Sequence, residues 1–284
     1  MTRFVLLLSA VALCGQDRPT FTADVRLVEV YATVADSHGR FVEGLTREQF
    51  TVRDNDQPHS ISLFEPTSAD VVCAILMDTT GSMAGALPML KSAVSHLIDD
   101  LPDSARIAVF TFSVALEQIQ DFTTDKKAAK QQVLRTRAEG ETALFDAIVK
   151  TARDLSVQKG KKFLVVFTDG DDNASVLSAQ AAIARSKQVG VPVYAVALGE
   201  ATRSQMLAKQ LRDIATQTGG LAYEVRKKSS DVEKVFTAIS AEMQHTYLLA
   251  YKAPEAKDNE WRRIDVAVSG VNSASVRAKH GYLP

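Results

Sequence analysis

Five oxygen-bearing side chains stand where an open α/β sheet would gather them. Asp78, Thr80 and Ser82 lie in DTTGS, directly after the apolar run VVCAILMD, and Asp169 closes the similar run KFLVVFTD. Thr142 lies in GETALFDAI, in a loop just before a helical pattern. Open α/β sheets bind ligands at the carboxyl ends of their strands, which is where these residues fall. The alternation D-x-T-x-S lets one turn project three oxygens toward one point, with Gly81 allowing the turn. Two carboxylates and three hydroxyls make an all-oxygen set, which suits a hard cation such as Mg²⁺. The carboxylates neutralise a divalent charge and the hydroxyls add coordination without more charge. Such an ion stays electrophilic, so a carboxylate from a partner can complete its shell.

Each residue also has a plainer reading. Thr142 and Ser82 can cap the helices that follow them, and Asp169 in TDG can be a turn residue. Asp146, one turn after Thr142, is either an acceptor that orients a hydroxyl or water, or a solvated residue. The segment DGDDN suggests a calcium loop, but Ala174 and Gln180 stand at its sixth and twelfth positions, where an EF-hand needs Gly and Glu. Asp171 and Asp172 then read as a solvated acidic rim. A phosphatase of the haloacid dehalogenase type needs a second acid two residues after the first, and Thr80 stands there. The chain has no GxxxxGK[ST] phosphate loop and no GxSxG elbow. His38, His59, His96, His245 and His280 are scattered without zinc-ligand spacing. The chain is therefore read as a non-enzyme.

These residues need rigid supports, and the hydrophobic pattern supplies them. Strands VVCAILMD, RIAVFTF, KFLVVFTD and VPVYAVAL alternate with helical patterns, among them Leu87, Leu90, Val94, Leu97, Ile98 and Leu144, Ile148, Ala152, Leu155. Helices are expected near 125–137, 143–157 and 176–189, the last ending at Gly190; Met206 to Ile214 marks another that stops at Gly219. A short strand LAYEV and a helix carrying Val232, Val235, Phe236, Ile239 and Met243 complete the series. The alternation predicts an α/β fold, a doubly wound, mostly parallel sheet covered on both faces. Before it, Val28, Val30, Ala32 and Val34 alternate with Glu29, Tyr31 and Thr33, and short strands are expected near 50–53 and 60–64. In LTREQF between them, Thr46 can cap a helical turn with Gln49 reaching back. After the α/β unit come TYLLAYKAP, WRRIDVAVS and SVRAKHGYL. A lone hairpin is marginal in water. The flanks are therefore expected to form one small β-sandwich into which the α/β unit is inserted. The expected division is a signal segment at 1–16, sandwich pieces at 17–69 and 246–284, and the α/β domain at 70–245.

Hydrophobic residues make up 46% of the 284-residue chain and charged residues 24%, ordinary values for a packed protein. A net charge of -1 argues against general nucleic-acid binding. Arg3 and the apolar run Phe4 to Leu13 suit a secretion signal and are too short to span a bilayer. Cys14 stands where a bacterial lipoprotein carries its lipid, although Leu13 is large for that motif. Either processing route leaves Cys73 as the only cysteine of the mature fold, so no disulfide within the chain is expected. Residence in the periplasm, cell envelope or extracellular space follows.

MDTTGSM, GETALFDAI and VVFTDG resemble, in order and spacing, the three loops of the metal-ion-dependent adhesion site of von Willebrand factor A (VWA) domains. The resemblance implies that Asp78, Thr80, Ser82, Thr142 and Asp169 hold Mg²⁺ or Mn²⁺, with Ca²⁺ less favoured, directly or through water. It further implies capture of an acidic group on a protein or other macromolecule. Thr80 departs from the pattern, which usually has Ser there; its hydroxyl survives on a stiffer, β-branched side chain. The flanks VADSHGRFVEGLTREQFTVRDNDQPHSISLFE and YLLAYKAP…WRRIDVAVS…VRAKHGYLP resemble the exported VWFA-related family known chiefly from acidobacteria. An envelope scaffold with a vestigial metal site is the alternative reading, and metal dependence of partner binding separates the two.

Overall fold

The computed structural model describes residues 27–170, 172–225, 229–254 and 260–283. The expected signal segment, Cys14 and Asp171 lie outside the described residues. The chain enters through β1 (Leu27–Ala35), a 3-10 turn (Arg47–Gln49), β2 (Phe50–Asp54), β3 (Gln57–His59) and β4 (Ile61–Glu65). The α/β part follows as β5 (Val71–Asp78), α1 (Leu87–Asp100), β6 (Arg106–Phe112), β7 (Leu116–Thr123), α2 (Lys126–Arg135) and α3 (Leu144–Ser156). It continues through β8 (Lys161–Thr168), α4 (Ala179–Val189), β9 (Val193–Leu198), α5 (Gln205–Thr218), β10 (Ala222–Val225) and α6 (Ser229–Gln244). The return flank carries β11 (Thr246–Lys252), β12 (Arg262–Val268), β13 (Ser275–Ala278) and β14 (Gly281–Tyr282).

The central sheet has six strands in the order β10-β9-β8-β5-β6-β7. All its pairs are parallel except β6 with β7. β5 shows why these strands read as continuous apolar runs: Cys73, Ile75 and Met77 enter a core shared with α1 and α6, while Val72, Ala74 and Leu76 enter one shared with α3 and α5. Burial on both faces removes the period-two signal. Cys73 is fully buried within this packing. Helices α4 and α5 stop where glycine allows a left-handed residue, at Gly190 (φ 75°) and Gly219 (φ 91°).

The flanking strands form two antiparallel four-stranded sheets, β13-β1-β11-β4 and β14-β12-β2-β3. Val28, Val30, Phe50, Val52, Tyr247, Leu249 and Ile264 share one core between them. Both lateral edges are closed by chain that changes sheet, β3 running into β4 on one side and β13 into β14 on the other. The Gln49 carboxamide accepts from the Thr46 N–H at 2.9 Å, as the turn LTREQF predicts.

Four features go beyond what the local sequence pattern shows. β7 carries no strand signal in the sequence: two register shifts interrupt its pairing with β6, and its apolar residues Leu116, Ile119 and Phe122 lack the two-residue period. The stretch DNDQP is not simply a turn: Asn55 (φ 47°) and Asp56 (φ 68°) make a tight hairpin, and Gln57–His59 pairs back onto β2. SVRAKHGYL splits into β13 and β14, which belong to different sheets. Finally, the polar face of β1 is not solvated. Tyr31 packs edge-on against Phe163 with ring centroids 5.7 Å apart, and Glu29 pairs with Lys162 at 2.8 Å. Lys161 donates to the carbonyls of Thr67 and Thr246. This polar seam lies under the amino ends of the parallel strands, leaving their carboxyl ends free of the sandwich.

Candidate metal centre

The last residue of β5 is Asp78, fully buried. Its Oδ1 accepts from the Thr80 N–H at 3.0 Å and from the Thr80 hydroxyl at 2.7 Å. Its Oδ2 accepts from the Thr168 hydroxyl at 2.7 Å. Burial pushes the Asp78 carboxyl up, and hydrogen bonds from Thr80, Thr168 and the Asp169 backbone oppose that rise. These donors are all neutral. Thr79 points away from Asp78 and Thr80 and donates to the Phe112 carbonyl at 3.1 Å.

From Thr80 the contacts run on across the sheet. The Thr80 and Ser82 hydroxyls are 3.0 Å apart, and Ser82 donates to Asp169 Oδ1 at 2.8 Å. Asp169 is buried at the end of β8, whereas Ser82 is exposed in a 3-10 turn, Gly81–Gly85. Thr142 joins from the third loop: a Cβ placed on Gly170 would lie 3.5 Å from Ser82 Oγ and 3.9 Å from Thr142 Oγ1. All five residues therefore meet at one place, drawn from β5, β8 and the loop before α3. The Gly81 N–H bonds the Gly140 carbonyl at 3.1 Å, fastening the first loop to the third. Gly140 has φ 84°, and a Cβ there would press within 3.1 Å of Ser113.

The plainer readings fare unevenly. Thr142 does not cap α3; the residue in that position is Ala143, with no side-chain cap. Ser82 lies within the 3-10 turn, whose N-terminal cap position is held by Thr80. Asp172 corrects the acidic-rim expectation. Its carboxylate accepts from the N–H groups of Phe145 (2.9 Å) and Ser175 (3.0 Å), so it fastens the loop after β8 to the first turn of α3. Asp146 is not simply solvated; it accepts from the N–H groups of Val176 and Leu177. Thr168 was not singled out in the sequence. A hydroxyl inside the otherwise apolar run before Asp169 was the available signal.

The donor set fits a hard divalent ion. In an octahedral Mg²⁺ shell with bonds near 2.1 Å, neighbouring oxygens stand about 3 Å apart. The Thr80–Ser82 and Ser82–Asp169 separations are 3.0 and 2.8 Å. Among the described residues no group of three or more His, Cys, Asp or Glu gathers for a metal, so the hydroxyls are indispensable to this candidate.

The family model for the von Willebrand factor type A domain matches residues 70–238. The chain belongs to the VWA domain family. Solved structures agree on the fold. A von Willebrand factor type A protein from Catenulispora acidiphila matches with a TM-score of 0.53 at 15% identity, covering 90% of this chain and 73% of that one. The vWF domain of the type V pili tip protein Mfa5 from Porphyromonas gingivalis matches with a TM-score of 0.51 at 11% identity, covering 67% of this chain and 99% of that one. A mutant of the PilB minor pilin from Streptococcus sanguinis matches with a TM-score of 0.50 at 16% identity, covering 62% of each chain, which is less than two thirds of the pilin's own length. At these identities the likeness is one of fold. No curated protein matches the sequence.

Proposed function

We propose that this VWA protein is a metal-dependent protein-binding module. The carrying observation is the run of contacts from buried Asp78 through Thr80 and Ser82 to Asp169, with Thr142 beside it. Asp78, Thr80, Ser82, Thr142 and Asp169 hold Mg²⁺ or Mn²⁺, directly or through water. The bound ion supplies an electrophilic position for a carboxylate oxygen of a partner. Exposed Ser82 sits at the solvent side of the set, so an incoming group approaches from there. The β-sandwich contacts the opposite ends of the strands and leaves that approach open.

VWA domains are interaction modules, and pilus proteins are among the structural neighbours, which supports a binding role over an enzymatic one. We place the protein outside the cytoplasm, in the envelope or beyond it, with residues 1–16 as its signal segment or, by the alternative processing route, Cys14 as a lipid anchor. A membrane protein of Bacteroides fragilis is also among the structural neighbours, and no helix among the described residues is long and apolar enough to cross a membrane. We further propose membership of the exported VWFA-related family, and the division at 69/70 and 245/246.

The test is partner capture from envelope extract by the immobilised protein, with Mg²⁺ or with EDTA. Retention that is lost in EDTA and in Asp78→Ala supports the reading. Equal retention in all three conditions refutes it in favour of a scaffold with a vestigial site.

A further inference from the structure

The described residues of the loop that follows β8, 170 and 172–178, carry no regular helix or strand, and Val176 among them is 93% exposed. The loop is nevertheless tied along its length to the segment that carries Thr142. The Thr142 N–H donates to Asn173 Oδ1 at 2.9 Å, and the Thr142 carbonyl accepts from the N–H groups of Asn173 and Ala174 at 3.0 Å each. Asp172 holds the Phe145 N–H, and the Ser175 hydroxyl accepts from the Asp146 N–H at 3.1 Å. Asp146 closes the far end. Its Oδ2 accepts from the Val176 N–H at 2.8 Å and its Oδ1 from the Leu177 N–H at 3.0 Å.

We propose that Asp146 is a positioning residue that sets the spacing of Thr142 and Asp169 and thereby selects Mg²⁺ over Ca²⁺. The inference rests on the metal-site reading above. Asp146 lies in the first turn of α3, just after Thr142, and the loop it holds begins just after Asp169. One carboxylate thus couples two ligand-bearing loops that are separate in sequence, without being a ligand. Mg²⁺ demands near-ideal octahedral geometry at short distances, whereas Ca²⁺ accepts longer bonds and variable coordination. Without Asp146 the loop keeps its Asn173 and Asp172 contacts but loses its anchorage at Val176 and Leu177, so it can still satisfy Ca²⁺ while enforcing the tighter shell less strictly. Groups that orient metal ligands commonly change affinity 10- to 100-fold when removed.

The test is calorimetric titration of Mg²⁺ and of Ca²⁺ into the wild type, Asp146→Asn and Asp146→Ala. Asn is nearly isosteric but turns one acceptor into a donor facing a backbone N–H; Ala removes both acceptors. We expect the Mg²⁺ dissociation constant to rise about 10-fold in Asp146→Ala, and less in Asp146→Asn, while that of Ca²⁺ changes less than about 3-fold. Parallel weakening of both ions marks only the loss of a negative charge near the site and overturns the proposal. Unchanged affinities with a lower metal-free melting temperature mark a purely structural clamp and overturn it too. A wild type silent to both ions overturns the metal-site reading, and the selectivity role falls with it. Should Asp146→Ala fail to fold, the Asn variant carries the comparison alone.

Discussion

Two aspartates among the described residues are fully buried, and their surroundings differ in kind. Asp54, at the end of β2 in the sandwich, receives Arg262 Nε at 2.7 Å, the Tyr251 hydroxyl at 2.8 Å and the Tyr282 hydroxyl at 2.9 Å. Its counter-charge is built into the fold. Burial and the neighbouring carboxylate push the Tyr282 hydroxyl up to about 12, so both tyrosines stay protonated donors at any ordinary pH. Asp78, at the end of β5, receives only hydroxyls and backbone N–H groups. A buried charge is costly unless it is paired. Asp54 is thus paired within the fold, whereas Asp78 has no cationic partner among its hydrogen bonds and is the carboxylate to which the proposed function assigns a cation.

The contrast can be broken by substitution. Asp54→Ala strands Arg262 and two tyrosine hydroxyls, and the expected loss is about 3–5 kcal/mol in denaturant unfolding, with or without Mg²⁺. A loss that Mg²⁺ restores would erase the distinction. Asp78→Asn is expected to leave metal-free stability within about 1 kcal/mol of the wild type, because it removes an unfavourably buried charge. It abolishes the gain from metal, which for a single site is about 2.7 kcal/mol at 100 times the dissociation constant. A third buried charge, Lys161 at the seam, sharpens the comparison through pH. Burial pulls its ammonium down to about 8. Between about 8 and the ordinary lysine value of 10.5 the folded chain binds fewer protons than the unfolded one, so Lys161 makes stability rise with pH across that window. Solvent screening limits the effect to roughly 1–2 kcal/mol. Lys161→Met is expected to flatten the rise in thermal melts; a rise of equal size in the variant contradicts the assignment. The smallest effect belongs to Thr80→Ser, which keeps the hydroxyl and loosens the side chain. Its Mg²⁺ affinity should stay within a few-fold of the wild type, or about 0.5 kcal/mol.

The same contrast explains what was legible in the sequence. The α/β strands were readable because burial on both faces leaves long apolar runs; the candidates Asp78, Thr80, Ser82 and Asp169 stood out because they follow those runs, and Thr142 because it precedes a helical pattern. Asp54 was opaque: its partners lie 197 to 228 residues away, on strands of the return flank. Nothing local reveals that the α/β part covers the face carrying Tyr31 and Glu29. Asp146 and Asp172 misled for a related reason. Carboxylates that hold backbone N–H groups of a distant loop have the same sequence signature as carboxylates that face water. β7 was lost to bulges, which destroy the only periodicity an edge strand offers.

The central claim is that Asp78, unlike Asp54, awaits a metal ion, and titration of Mg²⁺ into the wild type, Asp78→Asn and Asp54→Asn tests it most directly. One ion per chain binding to the wild type and to folded Asp54→Asn, with none binding to Asp78→Asn, is the predicted result. No binding to the wild type, or equal binding to Asp78→Asn, would contradict the account.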